Sequence, residues 1–200
     1  MEKKTVAYSN LTFEFLESGL KINLGRKNFL PDLEPVAVPR QLSEQLAFNQ
    51  KAIVTRSEKA VSEVLVAPIL MQARQLNETK VSLFSGEPLA DERLAGFCDF
   101  MFVADPEAMF PKPPVIVLVE AKKQDVMAGI PQCVAEMSVA QNLNRKAGMN
   151  YEKVFGCVTT GQEWIFLQLS GNKAALHDRT FFLTELGQIL AVFTWMIKQF

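Results

Sequence analysis

The sequence predicts one mixed α/β domain, a mixed β-sheet flanked by helices. Three observations predict it. Apolar residues recur at helical spacing in two long stretches, short β-branched or aromatic stretches lie between and after them, and no linker or internal repeat divides the chain. A length of 200 residues suits a single domain with an elaboration.

Residues 1–39 read as an N-terminal extension, mixed in character and punctuated by Gly19, Gly25, Pro31, Pro35 and Pro39. A helix is expected to start near Arg40, after Pro39. A longer one should cover residues 57–76, where Val61, Val64, Leu65, Ile69 and Leu70 keep helical spacing and Pro68 should kink it or break a turn. Strands follow at 81–84, 94–103 and 115–120. Residues 124–150 carry Val126, Ile130, Cys133, Val134, Met137 and Leu143 in an amphipathic helical pattern, with Pro131 marking where the regular helix begins. Strands at 153–160, 163–169 and 174–182 and an apolar helix at 183–200 complete an order of helix, three strands, helix, strands, helix.

Composition excludes several classes of function. With 48% apolar and 22% charged residues the chain reads as globular, and no apolar run is long enough for a membrane helix. The start Met1-Glu2-Lys3-Lys4 is not followed by an apolar signal core, so a cytoplasmic location is expected. Cys98, Cys133 and Cys157 stand singly in apolar surroundings, which predicts buried thiols rather than a zinc site or a disulfide framework. His177 is the one histidine and lies in a polar interruption, so acid-base or metal chemistry must use carboxylates and lysines. Gly156 and Gly161 belong to no phosphate-binding loop motif. Trp164, Phe166, Phe181, Phe182 and Trp195 are expected in the core. A net charge of -1 gives no global support to nucleic-acid binding; local positive charge is expected from Lys122-Lys123, Arg145-Lys146 and Lys112.

One constellation breaks the apolar pattern. The strand Val115-Ile116-Val117-Leu118-Val119 ends in Glu120-Ala121-Lys122, and alternation along a strand sets Glu120 and Lys122 on one side. In the preceding strand Asp99 stands among Phe97, Cys98, Phe100 and Met101, where an unpaired charge would be costly. If Ala104 opposes Val115 in an antiparallel pair, the same register sets Asp99 opposite Glu120. Two adjacent carboxylates suit a hard cation, Mg²⁺ or Mn²⁺, and Lys122 can stabilise negative charge developing beside it. The plain alternative is a solvated strand end with Asp99 as an acceptor for backbone amides.

An aspartate in an apolar strand, followed about twenty residues later by an apolar strand ending in Glu-x-Lys, resembles the PD-(D/E)XK nuclease superfamily. Cys98-Asp99 stands where that pattern has Pro-Asp, and Glu120-Ala121-Lys122 supplies the tripeptide. Upstream, residues 57–70 resemble the first helix of the nuclease domain of type I restriction R subunits, N-E-A-x-T-R-x-x-L-I-D-P-L-L. Glu58, Leu65, Pro68 and Leu70 match, while Val61-Ser62 replaces Thr-Arg and Ala67 replaces Asp. The resemblance spans residues 57–161, leaving 162–200 as a C-terminal elaboration. It implies a restriction endonuclease-like core of order α-β-β-β-α-β, with Asp99, Glu120 and Lys122 catalytic and Asp99 and Glu120 as metal ligands. It also implies Glu58 as a further metal ligand, with Glu63 as a rival, and Gln132 as a residue that holds substrate or water. Glu58 equally fits a capping box in Thr55-Arg56-Ser57-Glu58. Gln132 and Glu136 share a helix face, and the plain reading of both, stronger for Glu136, is a polar helix surface.

The expected function is Mg²⁺- or Mn²⁺-dependent hydrolysis of DNA, of a restriction or repair kind, by an endonuclease that acts alone, as a homo-oligomer or within a larger assembly. The alternative is a non-catalytic protein that keeps the nuclease fold for binding, or an accessory subunit.

Overall fold

The computed structural model describes residues 5–8, 11–52 and 57–200. A nine-stranded mixed sheet runs through the domain with helices on both faces. The strands are β1 (Val6–Ala7), β2 (Asn23–Arg26), β3 (Ser82–Ala90), β4 (Leu94–Val103), β5 (Val115–Ala121), β6 (Val154–Thr159), β7 (Glu163–Ser170), β8 (Lys173–Leu176) and β9 (Phe181–Phe182). Their order is β1-β4-β5-β6-β7-β8-β2, with β3 also on β4 and β9 also on β7. The helices are α1 (Phe13–Ser18), α2 (Arg40–Ala52), α3 (Glu58–Val61), α4 (Ala67–Leu76), α5 (Val126–Lys146) and α6 (Leu186–Ile197). Among the described residues, no helix is long and apolar enough to cross a membrane.

Both sheet faces are covered, so β5 and β6 are buried at every position rather than at alternate ones. On one face Phe100, Phe102, Val119, Phe155, Trp164 and Phe166 pack under α2, α4 and α6. On the other, Met101, Val103, Leu118, Val158, Ile165 and Leu167 pack under α5 and α1. The parallel pair β5 and β6 is joined by α5, which crosses over the second face. Cys98, Cys133 and Cys157 are buried free thiols, as expected.

The helical stretch 57–76 does not break at Pro68. A π-helical turn at Ser62–Val66 joins α3 to α4 just before the proline. Proline offers no N–H to the carbonyl four residues earlier, that of Val64. The side-chain amide of Asn49 on α2 donates to it instead, at 2.7 Å.

Several expected boundaries are corrected. The strand expected at 81–84 continues to Ala90, because β3 is a sheet edge where Pro88, and Gly86 at φ +68°, are tolerated. The helix expected at 124–150 starts at Val126, with Asp125 accepting from Met127 N, so Pro131 lies inside it. It is not amphipathic: residues from Gly129 to Gln141 are buried except Gln132. The strand expected at 174–182 is divided into β8 and β9 by the turn after His177, which is itself buried between Phe29 and Phe181. Phe182 is 47% exposed rather than in the core. The N-terminal extension is part of the sheet, β1 pairing in parallel with β4 and β2 with β8.

Candidate active site

Strands β4 and β5 pair antiparallel with Phe100 opposite Val119, Met101 opposite Leu118 and Phe102 opposite Val117. That is the expected register, although its expected anchor is wrong. A bulge after Phe102 sets Val103, not Ala104, opposite Val115. Just past the last of these pairs, the Asp99 carboxylate accepts from Ala121 N at 2.8 Å, so it lies against the Glu120-Ala121 peptide. Lys122 N donates to Thr159 O at 2.8 Å, which fixes the end of β5 to β6.

Glu120 and Lys122 share a side, as strand alternation requires. Lys122 Nζ donates to Glu120 Oε1 at 2.5 Å and to Gln132 Oε1 at 3.3 Å. Gln132 Nε2 then donates to Glu136 Oε1 at 3.1 Å. A chain of four side chains therefore runs Glu120, Lys122, Gln132, Glu136 from β5 into α5. Glu58 Oε1 lies 3.9 Å from Lys122 Nζ at the solvent side, its side chain 51% exposed. The rival Glu63 points elsewhere and pairs with Lys59 at 3.7 Å. Thr55 of the expected capping box lies outside the described residues; Ser57 is the N-cap, accepting from Ala60 N at 3.1 Å, which places Glu58 at the first helical position.

Burial dominates the electrostatics. Glu120 is 1% exposed, and desolvation, reinforced by Asp99 and partly offset by Lys122, raises its pKa to about 8. Desolvation also raises Asp99, against the pull of the Ala121 amide and Lys122. Glu136 is wholly buried and pushed well above the carboxylate range by burial and then by Glu120. Burial works to lower Lys122, but Glu120 outweighs it, and the ammonium is held above its ordinary range.

Among the described residues, no group of three or more His, Cys, Asp or Glu side chains forms a metal-holding cluster. The ammonium of Lys122 lies between Glu120 and Glu58, whereas the cation was expected between Asp99 and Glu120. The remaining donors nonetheless fit a hard cation: Glu120 Oε2 is buried without a hydrogen-bond partner, and Asp99 stands beside it. Glu58, Asp99 and Glu120 around one lysine leave the site short of positive charge.

Sequence reasoning set Glu136 aside as helix surface. Its signal was the one that exposed Asp99, a carboxylate in an unbroken run of small and apolar residues, here Cys133-Val134-Ala135 and Met137. The expected basic surroundings are also corrected. Lys112 follows β4 and pairs with Asp105 at 3.0 Å, and Arg145 and Lys146 end α5, whose Asn144 bonds Val115 at the start of β5. All three sit at the far end of the seven-residue β5, roughly 20 Å from Glu120. Lys123 alone of that set adjoins the site.

Gly129 lets α5 approach Lys122. A Cβ there would lie 2.6 Å from Val158 Cγ1 and 3.0 Å from Lys122 Cγ. Gly129→Ala is therefore expected to cost about 1–3 kcal/mol in stability and to displace Lys122 from Gln132; urea unfolding and the Lys122 ammonium NMR signal measure the two effects.

No protein-family model matches the chain, and a search of curated proteins returns no match.

Proposed function

We propose that this chain is a divalent-metal-dependent nuclease that hydrolyses DNA phosphodiester bonds and carries a restriction endonuclease-like core. The observation that supports this reading is the meeting of Asp99 and Glu120 from neighbouring strands with Lys122 bonded to Glu120, the juxtaposition expected from the motif. Asp99 and Glu120, with Glu58, would hold Mg²⁺ or Mn²⁺, which supplies Lewis-acid polarisation of the phosphodiester and a more acidic water. Lys122, kept protonated by its carboxylate neighbours, offsets negative charge developing on the phosphate oxygens. Gln132 holds that ammonium in place from the opposite side.

The test is cleavage of plasmid and single-stranded DNA across Mg²⁺, Mn²⁺ and Ca²⁺, with calorimetry of metal binding. Cleavage and metal binding are expected in the native protein, and Asp99→Asn should weaken both about tenfold or more. Absence of turnover with every ion would overturn the reading.

One observation favours a second reading, a non-catalytic nuclease-fold binding protein or accessory subunit: Glu120 is already neutralised by Lys122, and most expected basic residues lie at the far end of the strands. It expects DNA or protein binding without turnover.

A further inference from the structure

The candidate centre is acidic, yet its proposed substrate is a polyanion. Glu58, Asp99 and Glu120 lie around one ammonium that Glu120 already engages, so a nucleic-acid strand needs donors close by. Beside the centre, a recess of about 230 Å³ is lined by Val61, Leu65, Lys123, Gln124, Thr160 and Gln162. None of these is acidic, and all four polar side chains carry a hydrogen that can be donated. At roughly 30 Å³ per water, the recess has room for a phosphate group and several waters.

The recess is built rather than accidental. Its floor is α3 and the π-helical turn that follows, and its roof is the turn between β6 and β7. Gly161, at φ +75°, brings that turn so close that a Cβ would lie 3.1 Å from Leu65 and 3.2 Å from Val61. The turn is fixed by Gly161 N donating to Thr159 Oγ1 at 2.8 Å and Glu163 N donating to Thr160 Oγ1 at 3.2 Å. Because the Thr160 hydroxyl accepts there, its own hydrogen remains to be given away. Lys123 follows Lys122 in the chain and lines this recess, while Lys122 faces Glu120 and Gln132. Two carboxylates adjoin the lining residues in the chain, Asp125, which is N-cap on Met127 N, and the exposed Glu163.

We propose that this recess is a phosphate clamp, in which Lys123, Gln124, Thr160 and Gln162 hold a backbone phosphate of the nucleic-acid strand next to the one presented to Lys122. The clamp rests on the nuclease reading for its purpose, but it is tested by binding alone. A fluorescein-labelled single-stranded 12-mer is titrated by anisotropy in EDTA over a range of salt, with native protein, Lys123→Ala and Gln162→Ala, alongside metal-dependent cleavage by the native protein. Lys123→Ala is expected to weaken binding about three- to tenfold at low salt, equally for different sequences, and to reduce the salt slope by about 0.7. Gln162→Ala should weaken binding less and leave the slope unchanged, since it carries no charge. Lys123 is exposed and Gln162 half-buried, so thermal unfolding should be unaltered in Lys123→Ala.

Undiminished affinity and slope in Lys123→Ala, or no binding by native protein, overturns the clamp. If Lys123→Ala has the expected effect while native protein cleaves nothing, the clamp stands and the nuclease reading falls.

Discussion

Lys122→Ala is expected to lower metal-dependent DNA cleavage by about a hundred- to a thousandfold, the range seen when one preorganised donor to a developing negative charge is removed. The loss has two parts. The phosphate forfeits a cation, and Glu120 forfeits the partner 2.5 Å away that offsets its desolvation. A buried carboxylate stripped of its partner takes up a proton rather than remain charged, so the pKa of Glu120, already about 8, should rise further. Lys122→Arg restores charge without the same point geometry and should recover only part of the activity. Cleavage at the native rate by Lys122→Ala, with the same ion dependence, would mean the centre lies elsewhere.

Glu136→Gln should raise the melting temperature at pH 8 and do so less as the pH falls. Both Glu120 and Glu136 have pKa values raised by burial, so each favours the folded state most below its unfolded pKa, and that contribution is lost as the pH rises through the folded one. For Glu120 the window runs from its ordinary 4.5 to about 8. Glu136 faces Gln132, Cys98, Glu120 and Asp99, and none of these brings it a positive charge. A glutamine keeps an oxygen for Gln132 Nε2 and removes the like-charge repulsion. The gain comes from a side chain that cannot ionise, and for a domain of this size each kcal/mol appears as about 2–4 °C. Differential scanning calorimetry of both proteins across this pH range gives the answer. A melting-temperature difference independent of pH, or a less stable variant, would show that Glu136 is not a strained carboxylate.

Much of this was legible from residue types alone. The apolar runs of β4 and β5, each interrupted by charge, gave the two strands, and strand alternation gave the shared side of Glu120 and Lys122. The register near Asp99 was also readable, despite a bulge that only three-dimensional packing could reveal. Illegible features had a common origin in tertiary contact. Gly86 and Pro88 look like turn residues unless β3 is known to be an edge, and Pro68 looks like a helix breaker unless Asn49 is known to reach Val64. Glu136 looked like helix surface because one helix in isolation does not reveal that the sheet and neighbouring segments enclose it. The segment before Arg40 carries too little periodicity to announce two strands of two and four residues.

Those short strands bear on how the protein is made. Asn23 to Arg26 lie beside Lys173 to Leu176, so β2 leaves the ribosome well before the strand it pairs with. The sheet cannot close at that margin until β8 has been made, and the loop to be drawn together holds every strand from β3 to β7, an entropic cost that slows folding. Until β8 emerges, β2 has no strand to pair with, and a nascent chain in that state is open to pairing with another.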